Sequence, residues 1–169
     1  MAVVYPFGEW AIHVYLLHLK PFRWRGRRVE LVSAASHRVH HEHPHDLDLI
    51  NFAPLEALAI LLFAAPLAVG IGAALAAPIP GPLPLGPLVT MLLTAYVLIG
   101  AYEWIHFLIH TSHQPRSRYY RSIWRNHRLH HFKNEHYWHG ITNTISDRVL
   151  GTNPDQRDID RSPTVRALR

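Results

Sequence analysis

Two long apolar segments joined by a proline-rich turn constrain this chain more than any other feature. Residues Ala57–Ala77 form a run of 21 residues without a charge, which is the length a helix needs to cross a hydrocarbon layer of ~30 Å. After the turn Pro78–Pro87, a second apolar run covers Leu88–Tyr102. The pattern predicts two membrane-spanning helices packed as a hairpin, with a kink at Pro66 in the first.

The alternative is a buried helical hairpin in a soluble bundle. The first run contains Pro66, Gly70 and Gly72, which make a poor helix in water, whereas membrane helices tolerate both residue types. The composition therefore favours the membrane.

The basic residues predict the orientation of the hairpin. The turn carries no charge, whereas both flanks are basic. The residues concerned are Lys20, Arg23, Arg25, Arg27, Arg28 and Arg38 before the hairpin, and Arg116, Arg118, Arg121, Arg125 and Arg128 after it. By the positive-inside rule, both flanks are expected on the cytoplasmic side. The net charge of +5 needs no nucleic-acid partner, because no nucleic-acid motif accompanies it.

The ends of the chain differ in character from the hairpin. Met1–Leu19 is apolar and aromatic but carries Glu9, His13 and His18, which predicts a partial or interfacial helix rather than a signal peptide. The polar segment from Gly151 onwards has no periodicity and is expected to be loosely ordered. We therefore predict a membrane domain over residues 1–155 and a polar tail over 156–169.

An internal repeat carries the histidines. Each polar flank contains a Glu-Trp pair, at Glu9 and at Glu103, followed by two spaced histidines and then by His-x2-His-His. The last motif recurs with an offset of 90 residues, from 37, 40 and 41 to 127, 130 and 131. Composition bias produces clusters of histidine, but it does not produce two ordered patterns that match.

The spacing of these histidines is that of metal ligands on helices. His106 and His110 share one helical face, and in His-x2-His-His the three rings fall within about a 100° arc, so that one helix can serve two metals. His13 and His18 are five residues apart, which requires a helix end, a π-bulge or a following turn. Ten imidazoles suit two ions with five ligands each: His13, His18, His37, His40, His41, His106, His110, His127, His130 and His131.

The chemistry of the set limits the metal without identifying it. The chain has no cysteine, which excludes thiolate ligands, and imidazole accepts Fe, Zn, Cu or Ni. Glu9 and Glu103 are the leading candidates to orient imidazole N–H groups, followed by the acidic residues Asp46, Asp48 and Glu135. The remaining histidines are expected to be surface or neighbouring residues rather than ligands: His43, His45, His113, His136 and His139.

The order HxxxxH, HxxHH, HxxxH, HxxHH around a membrane hairpin resembles the fatty acid hydroxylase / sterol desaturase superfamily. The strings HRVHHEHPHDLDLINFAP (His37–Pro54) and NHRLHHFKNEHYWHGITNTISDRVLGTNPD (Asn126–Asp155) are similar to its bacterial members. The resemblance implies an all-α protein, an integral-membrane helical hairpin with a cytosolic helical cap holding a poly-histidine di-metal site. It also implies two irons, O2 as co-substrate, a membrane lipid substrate, and a separate electron donor of the cytochrome b5 or ferredoxin type.

Several alternatives stay open at this point. Within the oxygenases, hydroxylation of a fatty-acyl chain or sphingolipid leads over a sterol desaturase or oxidase and over a carotenoid hydroxylase. From another class, a metal-binding or metal-transporting membrane protein would use the same imidazoles, although transporters place such ligands inside their spans. We further expect that zinc can replace iron in a purified sample, and that the chain forms a homo-oligomer.

Overall fold

The computed structural model describes residues 4–76, 85–166 and 168, and the protein is mostly helical, as predicted. The helices are α1 (Tyr5–Ile12), α2 (Val32–Glu42), α3 (Pro54–Ala59), α4 (Ala65–Ala76), α5 (Leu85–His110), α6 (Arg118–Phe132) and α7 (Ile145–Val149). Two π-helical turns, His13–Leu17 and Ile60–Ala64, continue α1 and connect α3 to α4. Short 3₁₀ turns lie at Leu47–Leu49 and Gln156–Asp158, and strands β1 (Phe22–Trp24) and β2 (Arg27–Val29) form a hairpin.

The two apolar runs form the candidate membrane spans. Each is long and apolar enough to cross a bilayer, and their apolar side chains point outward, with Phe63 69% and Val97 70% exposed. A soluble bundle would bury these side chains, whereas a bilayer covers them with lipid. Most of the predicted turn lies outside the described residues.

Both candidate spans extend beyond the predicted bounds. The first helix begins at Pro54, where proline suits the first helical position and Glu56 accepts a hydrogen bond from the backbone N–H of Ala53 at 3.0 Å. Helix α5 continues from the second apolar run to His110. Its 26 residues measure about 39 Å at 1.5 Å each, longer than a hydrocarbon layer of ~30 Å, so its last turns reach beyond the apolar run.

A π-helical turn lies just before Pro66, where the sequence predicts a kink. There the N–H of Ala65 bonds to the carbonyl of Ile60, five residues back, and the carbonyl of Leu61 loses its usual helical donor. The hydroxyl of Tyr96 on α5 donates to that carbonyl at 2.7 Å. The carbonyl that the π-helical turn leaves without a helical donor is therefore satisfied by a bond between the two candidate spans.

The β-hairpin is a feature that the sequence analysis did not predict, since it treated this segment only as a basic flank. The strands are antiparallel, and the two residues between them, Arg25 and Gly26, have φ of 50° and 79°. Two central residues with positive φ are those of a type I′ turn, which matches the twist of the adjoining strands.

The interior is built around imidazoles, and the tail closes over them. The most buried side chains include histidines from the π-helical turn after α1 and from α2, α5 and α6, together with Ile123, Ile141 and Trp138. The prediction of a loosely ordered tail is wrong for residues 162–166. Ser162 donates its backbone N–H to the carbonyl of Lys133 at 2.8 Å, and Val165 is 2% exposed. Polar composition concealed this contact, because the hydroxyls of Ser162 and Thr164 bond to the buried Glu135, which lies far away along the chain.

Candidate metal centre

The structure brings all ten predicted histidines together and divides them into two groups of five. In each group one ring nitrogen per residue lies within 4.8 Å of the corresponding nitrogen of every other member. The first imidazole set is His13, His18, His37, His41 and His130, and the second imidazole set is His40, His106, His110, His127 and His131.

Each of the two His-x2-His-His motifs contributes histidines to both sets. On α2, His37 and His41 belong to the first set, whereas His40 belongs to the second. On α6 the assignment is reversed, so that His127 and His131 join the second set and His130 joins the first. Residues i and i+4 are only about 40° apart around a helix, while i+3 lies about 100° from i+4. Each helix therefore faces both sets.

The first histidine motif uses a π-helical turn, one of the three arrangements that the sequence allowed. The backbone N–H of His18 bonds to the carbonyl of His13, five residues back, at 3.1 Å. This pairing brings positions i and i+5 into register, which a regular α-helix would separate by about 140°. Both rings consequently face the first set.

The distances within each set are those of ligands around one ion. In the first set, the Nε2 of His18 lies 3.1 Å from that of His37 and 3.2 Å from that of His130. In the second, the Nε2 of His127 lies 3.1 Å from that of His110 and 3.0 Å from that of His131. Ligands bound at about 2.1 Å are separated by about 3.0 Å at right angles and about 3.4 Å at the tetrahedral angle.

Backbone carbonyls determine which nitrogen faces inward. The Nδ1 of His13 donates to the carbonyl of His139 at 2.6 Å, and that of His130 donates to the carbonyl of Tyr137 at 2.8 Å. A carbonyl oxygen only accepts, so the proton of the neutral ring lies on Nδ1 and Nε2 presents a lone pair. His110 and His41 are held in the same way by Pro44 and Val165, at 2.8 and 3.2 Å.

Several of the inward nitrogens have no partner among the described residues. The Nε2 atoms of His40, His41 and His106 are buried without a hydrogen bond. Burial, reinforced by neighbouring imidazoles, lowers the pKa of His40 to about 2, and burial lowers that of His41 to about 3. It also holds the pKa of His127 and His130 well below the usual range. Neutral, convergent lone pairs without partners fit two bound metal ions.

A loop between α6 and α7 supplies two of the orienting carbonyls. Tyr137 and His139 both point their carbonyls at histidine rings, and between them Trp138 has φ of 58° and is 1% exposed. Positive φ is unusual for a bulky residue. The indole N–H donates to the carbonyl of Pro154 at 3.3 Å and the backbone N–H to that of Thr152 at 2.8 Å, so the surroundings hold this strained conformation.

Two buried carboxylates hold that loop in place. Glu9 accepts the backbone N–H groups of Ile141 and Thr142 at 2.5 and 2.8 Å, and also the hydroxyl of Thr142. Asp147 accepts the N–H groups of His139 and Gly140 at 3.0 and 2.7 Å. Burial raises the pKa of both carboxyls, and these hydrogen bonds oppose that shift.

The expectation that acidic residues orient the imidazoles is therefore wrong as stated. Glu9 acts on a backbone loop, and its repeat counterpart Glu103 accepts the N–H of Phe52 at 2.8 Å. Asp46 caps the turn at Asp48, and Glu135 accepts the hydroxyls of Ser162 and Thr164. Backbone carbonyls take the orienting role that was expected of these carboxylates. Because every residue has a backbone carbonyl, the sequence does not mark which of them bond to a histidine.

The other five histidines separate into two kinds. His43, His45, His113 and His136 are exposed, as expected of residues that are not ligands. His139 is 4% exposed and its ring centre lies 5.2 Å from that of His130. It is not a member of either set, and it contributes through its carbonyl to His13.

A small cleft borders both sets. It is lined by His37 of the first set and by His40 and His106 of the second. Its other lining residues combine apolar side chains, including Ile50, Phe52 and Tyr102, with the polar side chains of Ser33, Ser36, Asn51, Glu56 and Glu103. Apolar and polar side chains therefore meet beside the histidines.

Comparison with known proteins identifies relatives. A model of the fatty acid hydroxylase family matches residues 1–152. The chain is 30% identical over 146 residues to a dihydroceramide fatty acyl 2-hydroxylase of Arabidopsis thaliana, covering 86% of this chain and 55% of the relative. A second such hydroxylase of the same plant is 30% identical over 151 residues, covering 89% and 57%. The chain thus spans little more than half the length of these relatives. No solved structure matches it.

Proposed function

This chain belongs to the fatty acid hydroxylase family, and we propose that it is a membrane-bound di-iron oxygenase that hydroxylates a C–H bond in the acyl chain of a lipid. The observation that carries the proposal is the pairing of two five-imidazole sets at the end of two candidate membrane spans. As the names of the two plant relatives indicate for those proteins, the product would be a hydroxylated acyl chain.

The ten imidazoles would hold one ion in each set. When bound, two irons supply the redox chemistry that activation of O2 requires and that zinc lacks. The residues around them keep the rings neutral, hold four of them in one tautomer through backbone carbonyls, and exclude water through burial. Zinc accepts the same ligands, so we expect it as a substitute in purified protein.

The cleft supports a lipid without a negative charge near the reacting carbon. Glu56 and Glu103 both line it, and in their ionised form they would repel the carboxylate of a free fatty acid or a nearby phosphate. The hydroxyls of Ser33 and Ser36 and the amide of Asn51 suit amide and hydroxyl groups. We therefore place an amide-linked acyl chain of a sphingolipid first, as in the two relatives, and sterol-type or carotenoid oxidation after it.

The membrane side and the electron source belong to the same proposal. The basic flanks favour a cytoplasmic metal site, and electrons would come from a separate protein of the cytochrome b5 or ferredoxin type. Residues 57–102 contain no charged residue or histidine, which argues against metal transport through the spans.

Lipid analysis of a producing host tests the function. Cells expressing the wild type should accumulate lipids heavier by one oxygen atom, and cells expressing His130→Ala should not. The matched control is His113→Ala, because this histidine is exposed and lies outside both sets. Unchanged lipids together with altered cellular iron or zinc would refute the oxygenase and favour a metal-handling protein.

A further inference from the structure

The β-hairpin has two chemically different faces. Residues directly opposite each other in an antiparallel pair lie on the same face, and faces alternate along a strand. The pairs Phe22–Val29 and Trp24–Arg27 therefore share one face, whereas Arg23 and Arg28 lie on the other. We call the first one the aromatic face of the hairpin.

The aromatic face is not covered by the described part of the protein. Phe22 is 44% and Trp24 63% exposed. A two-stranded hairpin is at best marginally stable in water on its own, so a partner is expected on a face that carries two aromatic side chains. The guanidinium of Arg25 lies 5.1 Å from the centre of the Trp24 ring and places a cation beside that face.

The charge of the segment restricts the partner. Residues 20–29 carry Lys20 and four arginines and no acidic residue. Arg28 pairs with Glu30 at 3.2 Å, but this pair lies on the opposite face. Aromatic side chains alternating with cations are the composition of segments that lie in the headgroup layer of a membrane.

The helical segment before the hairpin also exposes apolar side chains. His13 and Leu17 are buried there, while Ile12, Tyr15 and Leu16 are 54%, 68% and 40% exposed. This segment also carries His13 and His18 of the first set, and the hairpin follows it directly along the chain.

We propose that the aromatic face of the hairpin docks on the anionic headgroup layer of the bilayer that the candidate spans cross. Phe22 and Trp24 would enter the boundary of the acyl chains, and Arg25 and Arg27 would contact lipid phosphates. Charge complementarity together with the exposed aromatic pair favours an anionic lipid surface over an acidic protein as the partner. The proposal does not depend on the reaction that the metal centre performs.

Site-specific labelling tests this docking, because the chain contains no cysteine. The Trp24→Cys variant is labelled at that cysteine with an environment-sensitive fluorophore and reconstituted in nanodiscs of phosphatidylcholine, with or without phosphatidylserine. We expect a lipid-attached nitroxide to quench this label. Aqueous iodide should quench it severalfold less than it quenches the control label, and the protection from iodide should be greater in the discs that contain phosphatidylserine. The control is a label at Arg157→Cys, since Arg157 has an 83% exposed side chain, and this label should remain open to iodide.

Two further arms separate the possible partners. In an Arg25→Gln, Arg27→Gln background, the extra protection given by phosphatidylserine should disappear. A label at position 24 that iodide quenches freely in both kinds of disc would overturn the proposal, as would equal protection in both. Protection that appears only after addition of an acidic ferredoxin would overturn it in favour of a protein-docking surface.

Discussion

Replacing Glu9 by alanine should destabilise the metal centre from a distance. The carboxylate does not touch an imidazole, but one of its oxygens accepts the backbone N–H groups of both Ile141 and Thr142. Ile141 is fully buried and Thr142 nearly so. The alanine variant therefore leaves two buried donors without a partner in the loop that orients His13.

The magnitude follows from those two donors. An unsatisfied buried donor costs ~1–3 kcal/mol, and removing a buried carboxyl recovers part of its own desolvation cost, so Glu9→Ala should lose about 2–4 kcal/mol. Glu9→Gln keeps one oxygen for the same two N–H groups and should lose only about 1 kcal/mol. Glu103→Ala is the repeat-matched control, and it should also cost about 1 kcal/mol because Glu103 accepts a single backbone N–H.

Thermal unfolding in detergent and metal content per chain provide the measurement. Glu9→Ala should unfold at a clearly lower temperature than the other two variants and retain less metal, since loss of an orienting group weakens metal binding about 10–100-fold. If Glu103→Ala were as destabilising as Glu9→Ala, or if Glu9→Ala retained metal and stability like the wild type, the role assigned to the loop would be wrong.

Three other substitutions test the centre, the loop and the candidate spans. His40→Ala, which leaves four imidazoles in the second set, should weaken metal binding there and lower the metal content measured by mass spectrometry below that of the wild type, while the exposed His43→Ala should leave it unchanged. Gly140→Ala would place a Cβ 2.0 Å from a backbone oxygen and should lower the melting temperature, whereas Gly8→Ala meets no atom within 4 Å and should not. Tyr96→Phe should lower the free energy of unfolding by about 0.6 kcal/mol, and an unchanged value would show that its hydrogen bond contributes nothing.

Local patterns predicted much of this protein correctly. Length and absence of charge identified the candidate spans, because crossing a bilayer imposes both requirements on a single stretch of chain. The repeat identified the ten histidines that converge, and the five-residue spacing of His13 and His18 limited the backbone to a few arrangements that included the π-helical turn. Their binding of metal stays a prediction. In each case the property belongs to residues that are neighbours along the chain.

The division of the ten imidazoles into two sets depends on contacts between distant segments. Helix spacing showed that α2 and α6 can each face two ions, but the crossing of His40 and His130 follows from how those helices pack. The orienting groups are the carbonyls of Pro44, Tyr137, His139 and Val165, up to 126 residues from the rings they hold. A carbonyl is common to every residue, and only the folded chain selects which ones meet a histidine.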